Sequence, residues 1–540
     1  MGFPYLISHL PVLVLLMMYI FMVYRNIEFW KSRANLFLIL STGLFFIVRI
    51  NDFLPRITSL DESQWIVCAR SIEFDFYRWL KYFYINDFTR ILTILPLVLI
   101  GKITGNISYF ESTLLFNLFL SLYLWIQFKW VKLVFGNVET AIYGYSAFLV
   151  ILSLTCDMDF IVYNSEAPSL FLISIFIYLF TWLYINTTSS KLFFLLGMIV
   201  AMIPFVKEQG VLIALLLFFI CLIYLIKSRR FNDLMIYLSG CIFSSSVFLV
   251  PLFYYNSLQD VLNFISLGLN YSVSGFSIKN NNEVMFDWSY AVMQWMKQVV
   301  NPATCFGLFA FFVIFLLAIF KRNRFKIVKG SAYFTFVLVY LIIVLVTILP
   351  PKNFKLLHYS IFLFPVASYS LGFIFQWCKS NQMLLIVLFC GSFIGEFYFN
   401  NHRSIYNVKG YRVLNEQLSK FDYYRCLKGK INPNDKLMIW GFGHNIFTEL
   451  GVERANGFLY PQFAFGESDG ARLVRNRYID ELEREEPEIV LEIVGPKALL
   501  LVDSNFFSIK AAHYELYKKI SSVYTREDCE DGIVIWKKNK

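Results

Sequence analysis

Charged residues are scarce in this sequence. Asp, Glu, Lys and Arg make up 16% of the 540 residues, whereas hydrophobic residues make up 58% and aromatic residues 19%. Soluble globular domains carry about 25% charged residues, so the composition excludes that class and indicates a polytopic α-helical membrane protein. A spanning helix needs roughly 20 mainly apolar residues, and we count about twelve such stretches. They lie near residues 5–24, 35–50, 110–128, 139–156, 167–185, 191–206, 211–226, 234–254, 304–320, 331–349, 360–377 and 383–397.

Signals of cleavage and of repetition are also missing. The first apolar stretch, 5–24, lacks the basic segment and the small-residue cleavage site of a signal peptide, so we expect it to be retained. The chain shows no internal repeat and no low-complexity linker. Because many secondary transporters are built from inverted repeats with interrupted helices, this absence argues against a transporter.

Basic residues occupy alternate loops between the apolar stretches. The loops richest in them contain Arg25, Lys31, Arg33, Lys129, Lys132, Lys227, Arg229, Arg230, Lys321, Arg322, Arg324, Lys326 and Lys329. Lys and Arg near the ends of spans stay cytoplasmic, so the other loops face outward, among them 51–109 and everything after about 398. Much of the formal net charge of +10 therefore lies beside anionic membrane lipid, and we expect no nucleic-acid partner.

The sequence after residue 398 is rich in charged residues and turn signals. Three short runs there predict strands, namely Lys436–Trp440, Ala498–Val502 and Gly532–Trp536. The residues from Ala471 to Glu485 predict a helix with alternating charges. We therefore predict a membrane domain over 1–398, with an outward first loop at 51–109, and an extracytoplasmic soluble α/β domain over 399–540.

The nine cysteines do not have the spacing of metal ligands. Most lie in or beside apolar stretches, where a free cysteine behaves as a small hydrophobic residue. Cys426 and Cys529 differ, because both fall in the outward domain. An oxidising compartment would join them, and we predict a disulfide between the two.

Four groups of polar residues in the outward loops are candidates for a site. An ionised side chain at the centre of a spanning helix costs about 2.5–3.5 kcal/mol, so such residues usually line a cavity or form pairs. The groups are Asp61 with Glu62; Asp157, Asp159 and Glu166; Lys207 with Glu208; and Lys352, Lys355, His358 and Tyr359. Carboxylates and lysines at one membrane face suit proton removal by a base and stabilisation of a phosphate leaving group. The alternative interpretation is that they are ordinary loop charges, with the lysines reaching toward lipid headgroups.

The order and side of these landmarks resemble the GT-C superfamily of integral-membrane glycosyltransferases. The layout is most similar to the protein O-mannosyltransferases and the lipid A aminoarabinose transferases. The segments that carry the resemblance are Ser59 to Trp65, the juxtamembrane helices expected over Ile72 to Gly105, Tyr163 to Glu166, Val206 to Gly210, Lys355 to Tyr359 and Met438 to His444. Two features depart from the pattern: the extra first span, and a first loop whose proline-rich stretch is reduced to Pro96.

The resemblance implies the transfer of one sugar, with inversion, from a polyprenyl-phosphate donor to a glycan, lipid or protein acceptor of the cell envelope. Asp61 would be the general base and Glu62 its partner. The implied donor phosphate-binding residues are Lys207, Lys352, Lys355, His358 and Tyr359. Candidates for acceptor or metal binding are Asp157, Asp159 and Glu166, and dependence on a divalent metal (Mg²⁺, Mn²⁺ or Zn²⁺) stays open. The implied location is the bacterial cytoplasmic membrane, with the active site on its outer side.

Other functions stay open at this point. A lipid-linked oligosaccharide polymerase or ligase would share the topology, but we would expect an arginine-rich outward loop and no sizeable soluble domain. A transporter or flippase of lipid-linked sugars would place its charges near the midplane of the membrane. A non-catalytic subunit of a glycosylation complex would show no turnover by itself.

Overall fold

The computed structural model is mostly helical, with one small β-sheet. It describes residues 3–53, 60–86, 91–155, 162–186, 190–207, 210–263, 265–266, 333–348, 357–377, 383–391, 426–427, 429–432, 434–441, 443–455, 457, 464, 468–494, 507–529 and 533–539.

The described residues form two compact units that alternate along the chain. The first unit comprises the described parts of Met1–Leu54, Thr113–Phe248 and Phe286–Val408. The second unit comprises those of Pro55–Ser112, Leu249–Met285 and Lys409–Lys540. The first loop therefore belongs to the same compact unit as the sheet. The predicted boundary after residue 398 follows the order of the sequence, whereas the units follow spatial contact, and the two-domain division stays a prediction.

The helices follow the apolar stretches of the sequence. In chain order they are α1 (Phe3–Arg25), α2 (Ile27–Ser32), α3 (Ala34–Val48), α4 (Leu60–Phe74), α5 (Phe76–Asn86), α6 (Ile91–Thr104), α7 (Tyr109–Phe135), α8 (Val138–Leu154), α9 (Glu166–Asn186), α10 (Ser190–Val206), α11 (Val211–Lys227), α12 (Phe231–Tyr255), α13 (Phe334–Ile348), α14 (Phe364–Trp377), α15 (His444–Leu450), α16 (Asp469–Glu485), α17 (Ile509–Ala512) and α18 (Tyr514–Val523). Short 3₁₀ helices cover Ile50–Phe53 and Leu357–Leu363.

Within the described residues, four helices are long and apolar enough to cross a membrane. They are Tyr109–Phe135, Glu166–Asn186, Phe231–Tyr255 and Ser360–Trp377. Shorter apolar helices lie on most of the other predicted stretches, and a further one, α6, lies in the first loop. The predicted stretch 304–320 lies outside the described residues, and the count of about twelve spans stays a prediction.

Small residues and buried hydroxyl groups bring the helices of the first unit together. A Cβ atom added at Gly197 of α10 would lie 2.1 Å from the carbonyl oxygen of Tyr237, so α10 and α12 touch backbone to backbone. Such close approach needs glycine at the crossing. The additional first helix is also integrated, because the hydroxyl of buried Tyr19 bonds Ser41 of α3 (3.1 Å) and Ser146 of α8 (3.0 Å).

The second unit contains a five-stranded sheet of β1 (Lys436–Gly441), β2 (Glu453–Arg454), β3 (Ile489–Ile493), β4 (Tyr524–Asp528) and β5 (Ile533–Lys538). The strand order is β2-β1-β3-β5-β4, with β1 parallel to β2 and β3, and β5 antiparallel to β3 and β4. β1 and β5 lie on predicted runs, β3 and β4 were not predicted, and Ala498–Val502 lies outside the described residues. The helix predicted from Ala471 to Glu485 is confirmed as α16.

Packing on the sheet and one disulfide stabilise this part of the second unit. Trp440 of β1 contacts Tyr478 of α16, with ring centroids 5.0 Å apart, and both side chains are buried. Cys426 and Cys529 are joined as a disulfide, with Cα atoms 6.1 Å apart. The covalent link ties the residues before β1 to the turn that follows β4.

Candidate functional site

The acidic pair of the first loop lies in the first turn of α4. Acidic residues at this end favour a helix, because the unpaired N–H groups of its first turn carry partial positive charge. Glu62 has no exposed side-chain surface, and its Oε1 accepts a 2.7 Å hydrogen bond from the Ser112 hydroxyl of α7. The side chain of Asp61 lies outside the described residues. The backbone of Asp61 is nevertheless placed by the helix and by the anchoring of its neighbour.

A second contact fixes the same turn. The hydroxyl groups of Ser63 and Tyr109 are 2.8 Å apart, so two consecutive residues of α4 contact the first turn of α7. A buried carboxylate is costly unless donors surround it, and the hydroxyl of Ser112 supplies one. The sequence did not reveal Ser112 or Tyr109, since a hydroxyl at the start of an apolar helix carries no motif.

Glu166 and Lys207 form an ion pair in the first unit. α9 begins at Glu166, where Asn164 Oδ1 accepts a 3.3 Å hydrogen bond from the N–H of Ala167. Lys207 follows directly after α10, and its Nζ lies 3.0 Å from Glu166 Oε1. The side chains are 10% exposed for Lys207 and 1% for Glu166, so each charge is largely removed from water and depends on the other.

This pair joins two residues that the sequence placed in different groups. Both were candidates, Glu166 for acceptor or metal binding and Lys207 for the donor phosphate. They meet because the start of α9 and the end of α10 lie at the same end of an antiparallel helix pair. The ammonium group of Lys207 thus has a carboxylate partner in an apolar setting.

The other predicted site residues lie wholly or partly outside the described part of the chain. Asp157, Asp159, Lys352 and Lys355 lie outside the described residues. His358 and Tyr359 lie in the 3₁₀ helix Leu357–Leu363, but their side chains lie outside the described part. Among the side chains that are described, no group of three or more His, Cys, Asp or Glu residues is arranged to hold a metal ion.

One carboxyl group in the second unit has a strongly shifted pKa. Burial raises the pKa of Glu481 on α16 to about 7. Hydrogen bonds from Tyr82 and from the N–H of Gly457 (3.0 Å), together with the charges of Arg484 and Arg454, act in the opposite direction. Tyr82 belongs to α5, so this titrating group sits where α16 meets a helix of the first loop.

Comparison with known proteins identifies the fold. No family model and no curated protein matches the chain. ArnT from Cupriavidus metallidurans, in a crystal structure bound to undecaprenyl phosphate, matches with a TM-score of 0.54 at 11% identity, over 94% of this chain and 98% of that chain. The chain therefore shares the fold of that protein, which confirms the fold that the resemblance implied.

Archaeal proteins match less closely. The oligosaccharyltransferase AglB from Archaeoglobus fulgidus, in complex with an inhibitory peptide and a dolichol-phosphate, gives a TM-score of 0.48 at 11% identity, over 95% of this chain and 75% of that chain. The Archaeoglobus fulgidus oligosaccharyltransferase in complex with Zn and sulfate gives 0.46 at 11% identity, over 92% and 72%.

Proposed function

We propose, from the GT-C fold of the chain, that it is a membrane glycosyltransferase that moves a single sugar from a polyprenyl-phosphate donor to an acceptor in the cell envelope. The observation that carries this proposal is the match to ArnT bound to undecaprenyl phosphate, which spans 94% of this chain and 98% of that one. The acceptor is a glycan, a lipid or a protein. The second unit contains the anchored acidic turn, and the first unit contains the buried ion pair.

Asp61 is proposed as the general base. Its carboxylate takes the proton of the acceptor hydroxyl while the hydroxyl oxygen bonds to the anomeric carbon of the sugar. The bond from that carbon to the phosphate oxygen breaks in the same step, the electron pair leaves with the polyprenyl phosphate, and the configuration inverts. Glu62 is held by Ser112 at 2.7 Å and is proposed to fix the turn that carries Asp61.

Lys207 is proposed to stabilise the negative charge that develops on the leaving phosphate. Glu166, 3.0 Å away, pairs with the ammonium group and limits its direction. Lys352, Lys355, His358 and Tyr359 stay proposed as further phosphate-binding residues, and Asp157 and Asp159 as acceptor- or metal-binding residues.

The described carboxylates do not fit a metal centre. Glu62 accepts a hydrogen bond from Ser112, and Glu166 pairs with Lys207. Among the described residues, neither carboxylate belongs to a group of three or more His, Cys, Asp or Glu residues that could hold a metal ion. We therefore derive no step through Mg²⁺, Mn²⁺ or Zn²⁺. Whether transfer depends on a divalent cation is decided by assaying in parallel with EDTA.

The proposed location is the bacterial cytoplasmic membrane, with the sheet on its outer side. The disulfide between Cys426 and Cys529 supports this location, because disulfides persist in oxidising compartments outside the cytoplasm. Protein from native membranes should shift in mobility on reduction, and a Cys529→Ser variant should show no shift. If reduction does not change the mobility of the wild-type protein, this result would argue for a reducing compartment.

The decisive experiment is the transfer of labelled sugar by purified protein from a panel of synthetic polyprenyl-phosphate sugars, with membrane extract as the source of acceptors. We expect transfer by the wild type from one donor, and a loss of at least about 100-fold in Asp61→Asn. Asp469→Asn is the matched control, since Asp469 is exposed, pairs with the exposed Arg472 and has no assigned role. Full activity of Asp61→Asn would remove Asp61 as the base. Folded wild-type protein inactive with every donor would favour a polymerase, a transporter or an accessory subunit.

A further inference from the structure

A buried arginine of the sheet contacts both helices at the start of the first loop. Arg454 ends β2, and only 2% of its surface is exposed. Its Nε donates to the hydroxyl of Ser71 at 2.9 Å and its Nη1 to the sulfur of Cys68 at 3.5 Å, both on α4. Its guanidinium lies 4.3 Å from the ring centre of Trp79 and 5.5 Å from that of Phe83, both on α5.

The shape of the guanidinium group makes this contact directional. Its N–H groups point along fixed directions in one plane, and its faces stack on aromatic rings. The N–H groups at the edge of the Arg454 guanidinium donate hydrogen bonds to α4, while its planar face stacks on aromatic rings of α5. One side chain of β2 therefore contacts both helices.

Neighbouring contacts hold the same helices on the sheet side of the unit. Arg78 of α5 donates to Glu453 at 3.1 Å and also pairs with Glu485 of α16. Arg70 of α4 donates to the carbonyl oxygen of Thr448 at 3.0 Å. α4 is thus fixed by the sheet at its second half and by α7 at its first turn.

We propose that Arg454 is a positioning residue for sugar transfer: through Cys68 and Ser71 it sets the direction of α4, and with it the placement of the acidic turn at Asp61 and Glu62. Its two hydrogen-bond acceptors lie about two turns beyond that turn on the same helix. A continuous helix of this length behaves as a rigid rod, so a rotation at Ser71 moves the carboxylates as well. Because the role of Asp61 belongs to the proposed function, this inference rests on it.

Cys68 provides a measurement that needs no enzyme activity. Its side chain is 2% exposed and lies under Arg454. The full-length protein in lipid nanodiscs is treated with N-ethylmaleimide, and the labelling rate of the Cys68 peptide is followed by mass spectrometry. We expect Arg454→Lys to speed labelling by about fivefold or more, because lysine cannot make two directed hydrogen bonds from a stacked plane. Ser71→Ala should give a smaller increase.

Two controls separate a loosened α4 from general unfolding. Arg472→Lys makes the same change at an exposed arginine of α16 and should leave Cys68 unchanged. Cys221, which is fully buried in the first unit, should stay unlabelled in every variant. If Cys221 becomes reactive in Arg454→Lys, that variant is unfolded, and the labelling rate of Cys68 in Ser71→Ala then tests the inference. Equal Cys68 rates in the wild type and in the folded variants overturn the inference.

Kinetics then test whether the contact matters for transfer. We expect Arg454→Lys to lower kcat by about 10-fold or more with little change in KM for the lipid donor, since a small misplacement of a catalytic group affects the chemical step. Unchanged kcat in a variant with faster Cys68 labelling would leave Arg454 a structural residue and refute the positioning role. If wild-type protein transfers no sugar, the proposed function fails, while the labelling result still decides whether Arg454 holds α4.

Discussion

The two units neutralise their buried charges in different ways. In the first unit, three cations each have a direct counter-charge: Arg49 pairs with Asp52 and Arg230 with Asp233, each at 2.6 Å and three residues apart, and Lys207 pairs with Glu166 at 3.0 Å. In the second unit, buried Arg454 instead contacts a hydroxyl, a thiol and two aromatic rings, all of them uncharged. An apolar helical bundle offers few polar groups, so a charge there requires one direct counter-charge.

The arginines of the second unit act as connections between distant segments. Arg454 and Ser71 are 383 residues apart in sequence, and Arg78 and Glu485 are 407 apart. A planar fork with five donors can satisfy several acceptors, which a lysine or a carboxylate cannot do in the same way. The pairs of the first unit therefore neutralise charge, while the arginines of the second unit also determine how helices lie on a sheet.

The ion pair of the first unit gives the largest expected effect. Lys207→Met should lower the free energy of unfolding by about 3–5 kcal/mol, because it leaves the Glu166 carboxylate buried without a counter-charge. Glu166→Gln combined with Lys207→Met should recover most of the loss. The measurement is equilibrium unfolding in mixed micelles. A double variant no more stable than Lys207→Met would show that the pair is not the source of the effect.

The change in unfolding free energy that pH causes through Glu481 of the second unit is expected to be somewhat smaller than the effect of Lys207→Met. The folded-state pKa of Glu481 is raised to about 7, above the ordinary value for glutamate, so the folded state binds the proton more tightly than the unfolded state. Stability from this group is therefore greatest at low pH, falls as pH rises from about 4.5 to about 7, and is level above that, with a total change of up to about 3 kcal/mol.

Glu481→Gln should abolish this part of the pH dependence. The change in unfolding free energy between about pH 5 and about pH 8 is compared between variant and wild type. Glu483→Gln, on the exposed side of the same helix, is the control and should leave the pH profile unaltered. Parallel profiles for the wild type and Glu481→Gln would contradict the raised pKa.

The contact between Ser112 and Glu62 differs from the ion pairs, because a neutral hydroxyl group holds the buried carboxylate. Ser112→Ala should cost about 1–2 kcal/mol of stability, as expected for one hydrogen bond lost by a buried charged group. It should lower sugar transfer more than it lowers the folded fraction. Ser174→Ala removes a buried hydroxyl that bonds within its own helix, and serves as control. Equal transfer rates per folded molecule in the two variants would count against an anchoring role.

The smallest effect is expected at Arg78, whose side chain is 28% exposed. Arg78→Gln should destabilise the protein by about 1 kcal/mol, because solvent screens part of its interaction with Glu453 and Glu485. Arg472→Gln at an exposed pair should be neutral. Denaturant midpoints of the two variants are compared. If Arg78→Gln loses as much stability as Lys207→Met, the proposed difference between the units is wrong.

Periodicity and apolar length predicted the helices well, because each stretch must bury its own backbone hydrogen bonds. α9 and α10 begin and end within about two residues of their expected bounds, and α16 was found from its charge pattern. The sequence also named Asp61, Glu62, Glu166 and Lys207 individually. These features could be predicted because each depends on a pattern of residues that are close together in the sequence.

Long-range pairings could not be predicted in the same way. Glu166 and Lys207 were assigned to separate groups, since their contact depends on how two helices pack. Arg454 was not predicted as a functional residue, because it is one arginine in a two-residue strand and the rings that surround it come from another part of the chain. β3 was missed although Pro487 separates it from the charged helix and four of its five residues are apolar, so its signal was present in the sequence.

The distance along the chain between α4 and β2 has a consequence for biosynthesis. Ser71 is synthesised 383 residues before Arg454, which at ribosomal speeds is a delay of roughly 20–80 s. Throughout that time α4 and α5 are already made, while the strand that holds them does not yet exist. Under the proposed function and the proposed role of Arg454, the acidic turn is therefore not in place during synthesis of the first 453 residues, and activity is expected only after β2 has joined the sheet.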